Sequence, residues 1–179
     1  MIFSESALKG AYIIELQPIE DDRGFFARSF CLQEFAAHGL ETGVAQCNVS
    51  FNRKKGTLRG MHFQLPPKAE AKLVRCTRGV IYDVIIDLRP DSPTYCRWEG
   101  VELSADNYRS LYIPEGFAHG FQTMADNSEV FYQMYESFTP ECAGGVRWDD
   151  PAFDVHWPLA NPVMSDKDRS HPLYVRTPQ

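Results

Sequence analysis

Apolar positions in this chain come in short runs that alternate with polar ones, and the breaks between runs carry glycine, proline and charge. Residues 11–17 (AYIIELQ), β-branched and aromatic, predict a strand. Residues 32–38 (LQEFAAH) predict the clearest helix, closed by Gly39 just past its last turn. Between 43 and 51, Gln46, Asn48 and Ser50 alternate with Cys47, Val49 and Phe51. That is a two-sided strand whose polar face either meets solvent or lines a pocket. In the run 58–64 (LRGMHFQ), Arg59, Met61 and Phe63 fall on one side and Gly60, His62 and Gln64 on the other. Pro66 and Pro67 end it, because neither can donate to a ladder. Lys72 opens the next apolar run, and residues 80–88 (VIYDVIIDL) read as a buried strand. A carboxylate inside such a strand must be paired or open onto a cavity, so Asp83 calls for a partner, with an arginine favoured over a catalytic role. Strands over 98–103 and 130–135 complete the pattern, residues 110–113 lead into the segment from Pro114, and the proline-rich segment from Thr139 onward predicts an extended arm folded over the core. Short strands punctuated by turns, with one clear helix, predict an all-β sandwich or barrel.

The 179 residues correspond to one domain, long enough to bury roughly 70% of the surface of its unfolded chain. An apolar fraction of 44% and a charged fraction of 23% exclude wholesale disorder. The net charge of -6 argues against nucleic acid as the main partner, though a locally positive pocket for a small anion is compatible with it. Five cysteines without a Cys-x-x-Cys pair, no leader pattern and no membrane-length apolar run point to reduced thiols in the cytoplasm and away from a thiolate zinc site.

The densest chemistry lies between Gly56 and Cys76, where Arg59, His62, Gln64 and Lys72 follow one another within short strand-like runs. One reading is a pocket that holds an anion with Arg59 and Lys72 and offers His62 as a base. The plainer reading is an exposed basic loop with a single core histidine.

An ordered set of motifs separates these readings. Asp22-Arg23-Gly24-Phe25-Phe26, Gln46-Cys47-Asn48-Val49-Ser50, Leu58-Arg59-Gly60-Met61-His62-Phe63-Gln64 and Ala71-Lys72-Leu73-Val74-Arg75 are followed by Pro114-Glu115-Gly116-Phe117-Ala118-His119-Gly120-Phe121, Trp148-Asp149-Asp150-Pro151 and Ser165-Asp166-Lys167-Asp168. In content and order this set resembles the dTDP-4-dehydrorhamnose 3,5-epimerase family over nearly the whole chain. The resemblance implies a cupin-type jelly roll in a single domain over residues 1–179. It implies a homodimer to which the N-terminal strands and arm contribute, no metal or other cofactor, and a dTDP-4-keto-6-deoxyhexose as substrate on the route to dTDP-L-rhamnose. Such sugars enter bacterial surface polysaccharides.

Carried over position by position, the resemblance makes His62 the general base, Tyr132 the general acid, Asp168 the carboxylate partner of the base, and Lys72 a charged contact near the sugar ketone. Arg59 becomes a phosphate contact. Arg23, reaching across the dimer, and Gln46, Asn48, His119 and Lys167 become further ligand contacts. Phe138 replaces a tyrosine that stacks on the base. Arg28 and the neighbourhood of Ala143 depart from the pattern, since both stand where a glutamate is expected; Arg28 is kept among the substrate contacts. The chemistry is coherent. Hydrogens α to a ketone are removed by a base and returned from the opposite face. An imidazole titrating near about 6.5 suits the base, a phenol near about 10 suits the acid, and an ammonium stabilises the enolate oxygen. The alternatives are a C3-only epimerase, a 3,4-ketoisomerase of the same fold, a non-catalytic sugar-binding protein, and a metal-dependent cupin using His62 and His119. Gln64 stands where that last reading needs a second histidine.

Overall fold

The computed structural model describes residues 1–176. One antiparallel sheet runs β1 (Ile2–Glu5), β2 (Tyr12–Glu15), β10 (Ser110–Ile113), β7 (Lys72–Arg78), β12 (Ser128–Met134) and β5 (Gln46–Asn52). The other runs β13 (Ala143–Gly145), β6 (Leu58–Gln64), β11 (Phe117–Thr123), β8 (Val80–Asp87) and β9 (Trp98–Ser104), and β3 (Ile19–Asp21) with β4 (Gly24–Phe26) forms a separate hairpin. From β5 to β13 the chain crosses between the two sheets at nearly every step, with β8 and β9 the pair that stays in one sheet. This is the winding of a jelly roll, the cupin-type fold that the resemblance implies, where the strand pattern alone predicts a sandwich or barrel.

Three apolar clusters explain the strand sequences. Val74, Cys76, Leu111 and Val130 from the first sheet meet Ile81, Ile85, Leu103, Phe117 and Phe121 from the second, forming the interior of the sandwich. Val84, Ile86 and Ala118 turn to the other side of the second sheet, where Val146, Phe153, Trp157 and Tyr174 of the C-terminal arm cover them. On the outer side of the first sheet, Ile14, Leu73 and Tyr112 pack against Phe35 of α1 (Leu32–Ala37). Covered on both faces, β8 reads as an almost continuous apolar run rather than an alternating one.

Strand β6 departs from the simple alternation. His119 of β11 pairs with His62, whereas Phe121 pairs with Arg59, so β6 carries one extra residue between the two contacts. Gly60 makes this possible. Its φ of 140° lies where side-chain-bearing residues are rarely found, and a Cβ there would stand 2.6 Å from the Gly120 Cα. The extra residue reverses the faces. Met61 and Phe63 go to the outer cluster while Arg59 joins His62 on the inner side, which corrects the face assigned to Arg59 by counting in twos.

Candidate active site

Where the sandwich interior stops being apolar, the inner positions of five strands are polar and enclose a cavity with two adjoining lobes of about 250 Å³ and 190 Å³. His62, Lys72 and Tyr132 line both lobes. His62 comes from β6 in one sheet; Lys72 (β7) and Tyr132 (β12) come from the facing sheet. Glu70, Phe138, Lys167 and His171 complete the first lobe, and Ser50, Arg59 and His119 the second.

His62 Nε2 and Asp168 Oδ1 are 2.7 Å apart, close enough for Nε2–H to donate and leave Nδ1 as the basic nitrogen. Asp168 reaches this position from 106 residues along the chain. The arm is tied to the start of β6 by Leu58 N donating to Val163 O (2.9 Å) and Val163 N donating to Gly56 O (2.9 Å). It then turns into α2 (Asp166–Arg169), whose cap, the Ser165 hydroxyl, accepts from Asp168 N at 3.1 Å. Burial pushes the Asp168 carboxyl up, but the hydrogen bond and charge of His62, with the Ser165 bond, outweigh it and hold the group below the usual carboxylate range.

Lys72 is nearly buried and pairs with Glu70 at 2.6 Å, while the second carboxylate oxygen of Glu70 is buried without a hydrogen-bond partner. Burial raises the Tyr132 phenol above its ordinary value, Glu70 adds to the rise and Arg59 opposes it. The phenol therefore keeps its proton. Arg59 Nε donates to Asn52 Oδ1 at 2.8 Å, which orients the guanidinium and leaves its terminal nitrogens unbonded among the described residues.

Strand β5 answers the question its alternation left open. Gln46, Asn48 and Ser50 are half-buried on the inner side, and Cys47, Val49 and Phe51 are exposed. Ser50 reaches the cavity wall; the Gln46 side-chain oxygen accepts from Phe138 N at 2.9 Å, and the Asn48 amide meets the Met134 sulfur at 3.5 Å. Gln46 and Asn48 thus adjoin the cavity through Phe138 and Met134, which line it. His119 pairs at 2.7 Å with Asp83, so the partner of that buried carboxylate is an imidazole and not the arginine expected from the strand sequence. Among the described residues the ring that touches His62 belongs to His171, edge-on at 5.5 Å, and not to Phe138. Gln64 is a strap: its amide donates to Lys68 O at 2.8 Å and its oxygen accepts from Thr139 N at 2.6 Å.

Two basic residues lie elsewhere. Arg23, in the turn of the β3–β4 hairpin, pairs with Asp21, and Arg28 pairs with Glu34 at the helix α1; neither lines the cavity within the single chain. Conversely, Glu70 and His171 belong to the cavity without standing in any of the sequence motifs. Each carried a local signal, since Glu70 precedes Lys72 by two in an extended segment and His171 follows Asp168 by three at a helical turn. A larger cavity of about 530 Å³ opens on the outer side of β6 between Phe63, Leu65, Leu88 and Tyr174. Its arginine, Arg89, is already engaged by Asp87, and it holds no comparable cluster of titratable groups.

Comparison with known proteins is consistent along the chain. A family model described as dTDP-4-dehydrorhamnose 3,5-epimerase matches residues 5–175. The dTDP-4-dehydrorhamnose 3,5-epimerase of Sinorhizobium fredii is 39% identical over 179 residues, covering 99% of this chain and 92% of its own. The crystal structure of the Bacillus anthracis dTDP-4-dehydrorhamnose 3,5-epimerase with TDP and PPi bound superposes with a TM-score of 0.93 at 42% identity, covering 97% of this chain and 99% of the other. The Legionella pneumophila dTDP-6-deoxy-D-glucose-3,5-epimerase, solved with dTDP-4-keto-L-rhamnose, gives 0.89 at 34% identity, covering 96% and 92%.

Proposed function

The chain belongs to the dTDP-4-dehydrorhamnose 3,5-epimerase family, and from that premise we propose how its cavity carries out the reaction. The protein is an isomerase that inverts C3 and C5 of a dTDP-4-keto-6-deoxyhexose, converting dTDP-4-dehydro-6-deoxy-D-glucose to dTDP-4-dehydro-L-rhamnose. One observation carries the assignment of roles: an imidazole on one sheet and a phenol on the facing sheet line the same cavity.

A sugar ring lying between the sheets presents one face to His62 and the other to Tyr132. His62 Nδ1 takes the hydrogen from C5 or C3, and the electron pair moves onto the C4 oxygen as an enolate. Lys72 stabilises that oxygen, worth about 10²–10³ in rate for a donor of this kind. Tyr132 returns a proton to the opposite face of the same carbon. Asp168 keeps Nε2 protonated in the neutral ring, leaving the lone pair on Nδ1, and favours the imidazolium once it forms. Glu70 holds the Lys72 ammonium in the wall. Arg59 takes the phosphates with its unbonded nitrogens, and His119, Lys167, Gln46, Asn48 and Phe138 shape the remainder of the ligand site. These are proton transfers, for which the chemistry as drawn uses no redox group.

The working partner is a second copy of the chain. Val49 (62% exposed) and Phe51 form an apolar row on the outer side of the edge strand β5, and Ile19 and Phe26 (71% exposed) form another on the β3–β4 hairpin. Apolar rows of this kind on a folded chain mark an interaction surface. Arg23 at the hairpin turn then reaches the neighbouring cavity; Arg28 stands close by in sequence. Five unpaired thiols suit the cytoplasm, and no helix of the described residues is long and apolar enough to cross a membrane.

The decisive experiment incubates dTDP-4-keto-6-deoxyglucose with the protein in D₂O and follows deuterium by NMR. Incorporation at both C3 and C5 is the expected result. Incorporation at C3 alone would reduce the activity to a single epimerisation, and none at either position would overturn the reading.

A further inference from the structure

His171 stands beside the His62–Asp168 pair, and none of the steps above uses it. Its Nε2 is buried and has no hydrogen-bond partner among the described residues. That nitrogen lies 3.8 Å from Asp168 Oδ1, the oxygen that His62 also meets. One nitrogen from each imidazole and one carboxylate oxygen all fall within 4.8 Å of one another. The seat of His171 is built into the fold: Gly145 on β13, paired across from His62, has no side chain where a Cβ would collide with the His171 ring. The next residue is anchored, with Arg147 N donating to Pro172 O at 3.1 Å.

We propose that His62, Asp168 and His171 form a binding site for a borderline divalent cation, zinc above all, and that occupancy shuts the enzyme down by turning the base into a ligand. Two imidazoles and one carboxylate are a donor set zinc accepts, with a fourth position left for water or a sugar oxygen. Zinc bonds of about 2.0–2.1 Å put tetrahedral donors about 3.3 Å apart. Bringing His171 about half an ångström closer to Asp168 and moving His62 about as far away sets both nitrogen–oxygen spacings to that value, and the two imidazole nitrogens, which start within 4.8 Å of each other, close the set. Magnesium, which demands six oxygen-type ligands, is excluded by the same set. This site differs from the His62–His119 arrangement of a metal-dependent cupin. Metal binding does not depend on the catalytic roles proposed above; the inhibition does, because it rests on His62 being the base.

The test titrates the purified protein with Co²⁺, followed by its visible ligand-field absorption, and then displaces it with Zn²⁺ while deuterium exchange into the nucleotide sugar is measured. One equivalent of cobalt is expected, without a thiolate charge-transfer band. Exchange should fall in step with zinc occupancy and return on adding EDTA. His171→Leu should weaken binding by more than the roughly 10–100-fold that losing an outer-shell partner costs. His171→Gln serves as the second variant should leucine disturb the Gly145 strand, with circular dichroism to establish folding. No binding at millimolar metal, binding unchanged in a folded His171 variant, or a thiolate spectrum from exposed Cys47 would overturn the site. Binding at His171 that leaves exchange intact would keep the metal site and remove His62 from its role as base.

Discussion

The protein contains two histidine–aspartate pairs of the same 2.7 Å length, and they are put to different uses by their surroundings. His62 and His119 are direct cross-strand neighbours on β6 and β11. The His119 pair is internal to the sheet: Asp83 faces the sandwich interior from β8, its other oxygen is buried without a partner, and the His119 side chain is only 11% exposed. The His62 pair joins a strand to the C-terminal arm, and its imidazole is 42% exposed toward the cavity. A rigid pair inside a sheet is suited to holding shape and orienting a donor. A pair with one open nitrogen and a carboxylate delivered from outside the sheet is suited to accepting a proton. Pair length alone does not distinguish the two; access does.

Four measurements test this contrast. The largest expected effect is that of His62→Ala, which should lower deuterium incorporation by about 10³–10⁴-fold with an unchanged circular dichroism spectrum; unchanged exchange would mean another base. Asp168→Asn should cost about 10²–10⁴-fold in turnover, as for carboxylates that hold a histidine tautomer, with little change in unfolding midpoint. Asp83→Ala should reverse the balance. Removing one member of a buried pair costs about 3–5 kcal/mol in denaturant unfolding, with a smaller loss of turnover per folded molecule than Asp168→Asn. If the two aspartate variants behaved alike, the distinction between a structural and a working pair would fail.

The smallest expected effect concerns pH. Asp168 lies below its ordinary range in the folded protein, so its contribution to stability is complete above the unfolded value of about 3.9 and fades as pH falls through the lower folded value. Melting temperatures recorded between about pH 5 and pH 2 should therefore decline less steeply for Asp168→Asn than for the unmodified chain. An equally steep decline would assign the acid loss to other carboxylates.

Much of this was legible beforehand, for definable reasons. The strands at 58–64, 80–88 and 98–103 and the helix closed by Gly39 follow from side-chain periodicity and local backbone preference, which act over a few residues. The ordered motifs likewise marked His62, Lys72 and Asp168, and the family resemblance they carry added Tyr132; the fold brings His62, Lys72 and Tyr132 into one cavity with Asp168 bonded to His62. Arg59 was assigned to the wrong face because a single extra residue at Gly60 reverses the alternation, and such a bulge depends on the neighbouring strand at Gly120 as much as on the strand itself. The partner of Asp83 was mistaken for an arginine because charge alone suggested one, whereas the register of β8 against β11 offered His119.

The all-β pattern, the apolar character of each strand and the family membership were already written in the chain, since these rest on short-range alternation and on motifs that follow one another in order. The tertiary structure alone decided which polar residues meet. Glu70 against Lys72, His171 beside Asp168, and an aspartate 106 residues downstream against His62 depend on where the arm crosses β6 and which face the bulge turns inward. The physical reason is one of range: steric alternation acts between neighbours in the chain, whereas a hydrogen bond at 2.7 Å requires two distant segments to be held in register by everything packed between them.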